Sequence, residues 1–236
     1  MRFDPRAALF FVIVAVAGLV GEALRVPAVV SANAPDAAFS GARAFAHLEV
    51  LLRERLPHPV GSPANAEVRR RIVRRLRELG YASDVQTVRS CARGPCVSLH
   101  NLVIVVPDVS GQRPSVDHPA VMLTAHYDSV PTGPGVADDG AGVATLLEIA
   151  RAIRHRPRFN RPLILLFSDG EEHGLLGAEA FVAQHPLARA VDVVINLEAR
   201  GTGGPSMMFE TAGDNAALIQ TMSESVPRPV DRKSTR

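Results

Sequence analysis

The sequence predicts an α/β protein built on a mixed sheet, parallel at its centre, with helices on both faces. Apolar runs of strand length recur at AVMLTA (120–125), LILLF (163–167) and VDVVINL (191–197). Segments of helical periodicity follow the first two, at 141–154 and 175–184. Near-continuous apolar strands alternating with helices are the pattern of a sheet covered on both sides. With 236 residues, 47% of them hydrophobic, the chain can bury a core without a disulfide framework.

Taken in order, the first element is the uncharged run AALFFVIVAVAGLVG at 7–21, preceded by Arg2 and Arg6 and followed by Glu22 and Arg25. As a helix this run measures roughly 22 Å, short of the ~30 Å hydrocarbon core of a bilayer. Two export readings, a membrane anchor extending past Glu22 towards Val30 or a signal segment cleaved near Ala32-Asn33-Ala34, stand ahead of a buried core helix, since nothing upstream could pack over it. Either leaves Arg2 and Arg6 in the cytoplasm and the bulk of the chain on the extracytoplasmic side. Residues 1–34 are therefore expected to be the anchor or signal, and residues 35–236 the functional domain.

Residues 39–55 carry Phe45, Leu48, Leu51 and Leu52 near helical spacing. A proline-rich turn at 57–63 precedes a second helix at 64–79, which Gly80 closes. Arg69, Arg70, Arg71, Arg74, Arg75 and Arg77 on that helix read as a solvated face, with contact to anionic lipid headgroups as the sharper alternative. Strands are expected at 84–89 and 99–106, and a last one at 207–211. Between the first two strands, Cys91 and Cys96 are either unrelated thiols or a small loop-closing disulfide suited to an oxidising compartment. A net charge of only +2, from 26 basic and 24 acidic residues, argues against nucleic-acid binding, and the apolar content excludes general disorder.

In open α/β sheets ligands bind beyond the carboxyl ends of the strands. Here the three apolar strands run into His126-Tyr127-Asp128, into Ser168-Asp169-Gly170-Glu171-Glu172, and into Glu198. Asp138 and Asp139 stand before the helix at 141–154. One imidazole and several carboxylates thus converge on one sheet edge. So much negative charge requires compensation, and a mixed nitrogen and oxygen donor set suits zinc. Asp139 reads first as the cap of the following helix, Asp169 as a turn-shaping residue, Tyr127 as packing, and His58, His100, His118, His155, His173 and His185 as surface or turn residues.

The ordered motifs H-x-D (126–128), A-D-D-G-A-G (137–142), D-G-E-E-x-G-x-x-G (169–177) and N-L-E (196–198) resemble the co-catalytic zinc peptidase family 28. N-L-E-A-R-G-x-G-G-P-S from Asn196 and H-P-V-G-S-x-x-N from His58 are most similar to its membrane-anchored branch of endoplasmic-reticulum metallopeptidases and vacuolar membrane proteases. The resemblance implies a zinc-exopeptidase fold and a zinc-dependent aminopeptidase acting on peptides through a metal-bound hydroxide. It implies that Asp138 bridges two zinc ions, that His126 and Glu198 complete one set of ligands, and that Glu172 binds the other ion. Glu171 would be the general base and Asp128 would hydrogen-bond the far nitrogen of His126. The Asp138-Asp139 bond is expected to be cis. The family's second metal takes a histidine downstream of N-L-E, and none follows Glu198; a catalytic domain truncated at its C-terminus is the resulting expectation. A glutaminyl-cyclase-like acyltransferase with one zinc, or a catalytically dead scaffold, are the alternative readings.

Overall fold

Among the described residues, five strands form one sheet in the computed structural model: β1 (Asp84–Ser90), β2 (Val97–Val106), β3 (Ala120–His126), β4 (Leu163–Ser168) and β5 (Val191–Asn196). Their spatial order is β1-β2-β4-β3-β5. β4, β3 and β5 are parallel, while β2 is antiparallel to both β1 and β4. Parallel neighbours need long crossovers. Between β3 and β4 the crossover is α4 (Gly140–Ile153); between β4 and β5 it is α5 (Leu176–Gln184) with a 3-10 turn at Pro186–Ala190. The structure describes residues 5–23, 28–156, 159–199, 208 and 211–226.

Strand alternation sorts the core. On β4, Leu165 and Phe167 face a cluster that includes Leu51 from α2 (Gly41–Leu51), Ile72 and Leu76 from α3 (Pro63–Glu78), and Leu146 and Leu147 from α4. Ile164 and Leu166 face the opposite way, into a cluster with Met122 and Phe181. Helices therefore cover both faces, as the apolar strands imply. Helix starts follow their caps: the Ser40 hydroxyl accepts the N–H of Arg43, and the Ser62 hydroxyl that of Asn65, with Pro63 in the first turn. Gly80, at φ 79°, takes the left-handed conformation that ends α3. Cys91 and Cys96 are joined in a disulfide across the β1–β2 hairpin.

Three features differ from the sequence reading. The helix expected at 39–55 stops at Leu51, and Arg55 has a positive φ. Arg71 is not on a solvated face: it is buried, bonded to the carbonyl of Leu51 and paired with Glu54 and Glu67. β5 reads as a buried strand, yet Val194 is 53% and Ile195 48% exposed. Among the described strands β5 stands last in the order and pairs with β3. Apolar composition suits burial, but neighbours must supply it.

The chain divides into two units, Val29–Gly201 and a second comprising Met1–Ala28 with Thr202–Arg236. To the second belong α1 (Pro5–Ala23) and α6 (Ala216–Ser225), the latter absent from the sequence reading. α1 has 19 residues; at 1.5 Å per residue it is about 28 Å long. Among the described residues no helix is long and apolar enough to cross a membrane, so the expected transmembrane anchor is not seen as such. The strand expected at 207–211 lies outside the described residues except for 208 and 211.

Candidate metal centre

β3 and β4 run parallel with His126 opposite Ser168, so the loops that leave them start side by side. The His126 ring is buried at the end of β3, and its Nε2 lies 3.0 Å from Oδ1 of Asp138. Donor atoms of His126, Asp138 and Glu172 all fall within 4.8 Å of one another. Oε1 of Glu198 is 3.8 Å from the same Nε2 and Oε2 of Glu171 is 3.9 Å from it. The Asp138–Asp139 peptide bond is cis.

The other ring nitrogen, Nδ1, lies 3.1 Å from the Asp128 carbonyl oxygen and 3.4 Å from its carboxylate. That buried carboxylate also accepts the N–H of Glu171 at 3.0 Å and of Glu172 at 3.2 Å. Asp128 thereby links the imidazole on one loop to the two glutamates on the next. Asp139 caps α4, accepting the N–H of Gly142 at 3.0 Å, and its other oxygen accepts the N–H of His126 at 3.2 Å.

The ionisation of these groups shows an excess of negative charge. Burial opposes protonation of His126, but Asp128, Glu198 and Asp139 outweigh it and push its pKa up to about 11. Burial raises the carboxyl of Asp139 to about 8, and it raises those of Glu171 and Glu172 as well. Burial acts the same way on Glu198, but His126 and the N–H of Ala199 hold it below the ordinary carboxylate range. A proton on His126 supplies the positive charge this cluster requires. A divalent cation would supply it better, and one imidazole nitrogen with carboxylate oxygens is a donor set that zinc accepts. The residues present fit the metal.

A buried polar network holds the glutamate loop from behind; the sequence reading gave Asp169 a turn-shaping role and gave its partners Asn65 and Asn101 none. The carboxylate of Asp169 accepts Nδ2 of Asn65 and the N–H of His100, each at 3.0 Å, and burial with the nearby Asp128 charge raises its pKa to about 6. Oδ1 of Asn101 accepts the N–H of Asp169 at 3.0 Å, while its Nδ2 donates to the carbonyl of Gly177. An asparagine within an apolar strand is the sequence signal for such a network, because a buried amide requires partners. Tyr127 packs as expected and donates its hydroxyl to the His100 carbonyl. His58 is a turn residue, but a buried one: its N–H donates to the Ser129 hydroxyl.

The profile of "Peptidase family M28" matches residues 104–236, more than half of the chain, and the chain belongs to that family. A vacuolar membrane protease of Candida albicans is 38% identical over 156 residues, 66% of this chain and 18% of that protein. One from Schizosaccharomyces pombe is 35% identical over 184 residues, 74% of this chain and 21% of that protein. The chain thus spans about a fifth of the length of these curated relatives. Among solved structures, a glutaminyl cyclase from Porphyromonas gingivalis superposes with a TM-score of 0.65 at 22% identity, over 80% of this chain and 69% of that one. A Zn-dependent exopeptidase from Parabacteroides distasonis gives 0.64 at 21% identity, over 80% and 70%. These likenesses establish the fold, which cyclases and exopeptidases share.

Proposed function

We propose that this chain carries the catalytic part of a zinc-dependent metallopeptidase, an aminopeptidase that removes N-terminal residues from peptides. The observation that carries the reading is the group formed by His126, Asp138 and Glu172, with donor atoms within 4.8 Å of one another at the carboxyl edge of the sheet. Membership of peptidase family M28 supports it. His126, Asp138, Glu172 and Glu198 would hold the zinc, with Asp138 central to the set. Bound there, zinc would supply Lewis-acid activation of water and of the scissile carbonyl.

Glu171 is the general base. It is adjacent to the ligand Glu172, and burial raises its pKa towards the range in which a carboxylate both accepts and returns a proton. Its carboxylate takes a proton from the attacking water as the C–O bond forms. It then delivers that proton to the departing nitrogen as the C–N bond breaks. Asp128 fixes the His126 ring and, through two backbone N–H groups, the directions of Glu171 and Glu172.

Residues 1–34 act as the membrane-associating or export segment and residues 35–236 as the catalytic domain, on the extracytoplasmic side. Relatives named vacuolar membrane proteases support the membrane association. A cyclase reading gains nothing from the fold, since exopeptidase and cyclase structures match equally well.

The test is hydrolysis by the zinc-loaded chain of aminoacyl amides with a free amine, against the same amides acetylated. Cleavage confined to the free amines, and abolished in Glu171→Gln with zinc retained, supports the proposal. Pyroglutamate formation from glutaminyl peptides without hydrolysis refutes it.

A further inference from the structure

At the end of the sheet opposite the candidate metal centre lies a cleft of about 760 Å³. Register fixes its place: Val106 of β2, in its wall, pairs with Leu163, the first residue of β4, whereas His126 pairs with Ser168, the last. Arg113, Arg154 and Arg156 line the cleft beside apolar surface from Val105 and Ile153. Asp84 is the lining's single carboxylate, and its Oδ2 lies 3.7 Å from Nε2 of His185. Arg154 stacks over the Tyr81 ring at 5.4 Å, and one of its nitrogens donates to the Gly80 carbonyl. Two of the three arginines are thus held in fixed positions by backbone carbonyls, since Nε of Arg156 donates to that of Ala37 at 2.6 Å. The whole chain carries a net charge of only +2, so three guanidiniums against one carboxylate is a local concentration.

Residues 30–38, which follow the N-terminal apolar segment in the sequence, pack on this same end of the domain. Arg43 donates to the carbonyls of Ala32, Ala34 and Ala38, Arg151 donates to that of Ala38, and the Ser40 hydroxyl contacts those of Val30 and Ser31. Residues 30–38 are therefore strapped to the domain beside Arg156. A membrane that holds the apolar segment is then within a short length of chain from this cleft. Planar guanidiniums bind phosphate bidentately, and apolar walls accept the glycerol and first methylenes of a lipid.

We propose that the cleft rimmed by Arg113, Arg154 and Arg156 binds the headgroup of an anionic phospholipid. The contact seats this end of the domain on the membrane surface and turns the opposite, metal-binding edge towards the aqueous phase. It rests on the membrane association of the apolar segment and is independent of the peptidase chemistry.

The chain contains two tyrosines: Tyr81 lines the cleft, and Tyr127 is buried at the far end of the sheet. The full chain labelled with fluorotyrosine, in an uncharged detergent, therefore reports cleft and control in one fluorine NMR spectrum. Titration with dihexanoyl-phosphatidylserine is expected to move the Tyr81 resonance and leave that of Tyr127. Arg113→Glu, an exposed position, is expected to weaken this binding by at least about fivefold, the equivalent of ~1 kcal/mol per basic residue at an anionic surface. No movement with the serine lipid overturns the proposal. So does equal movement with dihexanoyl-phosphatidylcholine, or saturation by inorganic phosphate at the same concentration, which would mark a free-anion site. Partitioning of the full chain into neutral vesicles tests the apolar segment separately.

Discussion

Nε2 of His126 and Oδ1 of Asp138 lie 3.0 Å apart across the loop that joins β3 to α4. The pair joins a fully enclosed imidazole to a carboxylate that is about half exposed. Its buried half is fixed by the sheet and its open half faces the side from which a metal and a substrate would enter.

Asp138→Asn keeps the size of the side chain and removes its charge. Bound zinc is expected to fall sharply, and peptide hydrolysis by more than the ~10–100-fold that outer-shell partners of a metal command. Elemental mass spectrometry of the purified chain, alongside an activity assay, measures both.

Asp128→Asn tests the link between loops. An amide has one acceptor oxygen, so it cannot accept the N–H groups of Glu171 and Glu172 with separate oxygens as the carboxylate does. Zinc affinity is expected to drop by ~10–100-fold and stability by roughly 1–3 kcal/mol. Competitive zinc titration and urea unfolding report the two effects, and unchanged zinc affinity would contradict the assigned role.

Gly177→Ala tests the network behind the glutamate loop. A Cβ at Gly177 would overlap the carbonyl oxygen of Asp169 and lie 2.6 Å from Oδ1 of Asn101. Neither neighbour can yield without releasing the loop, so a loss of roughly 1–3 kcal/mol is expected. Thermal unfolding of the variant beside the parent measures it.

Away from the metal centre, His47 predicts an acid-sensitive domain. Burial, and then the charge of Arg75, hold its pKa down at about 4, against an ordinary value of 6.5, with Glu148 opposing. The folded state keeps His47 neutral where the unfolded chain protonates it. Its contribution is therefore full above pH 6.5 and is lost as pH falls towards 4, by on the order of 1–3 kcal/mol. Urea unfolding at several pH values, with His47→Gln as comparison, should show a steeper acid loss in the parent.

The sheet was legible because β3 and β4 are buried on both faces, so their composition and their environment agree. The loops that carry His126, Asp138, Glu171 and Glu172 were legible for a related reason: each interrupts an apolar run with groups that cannot be buried without partners. β5 misled because Val194 and Ile195 have the composition of a central strand, while β3 is the one neighbour that the described strands place beside them. Arg71 misled because its burial depends on Glu54, a residue of the preceding turn with no periodic relation to α3. Asn101 escaped notice because its partners, Asp169 and Gly177, are distant in sequence and meet only when β2 pairs with β4.

Zinc content of the folded wild-type chain, measured by elemental mass spectrometry with Asp138→Asn as control, decides whether His126, Asp138 and Glu172 form a metal site. At least one zinc per wild-type chain is expected, lost in the variant, with peptide hydrolysis following the metal. A folded wild-type chain that binds no zinc after exposure to it would contradict a zinc-dependent peptidase.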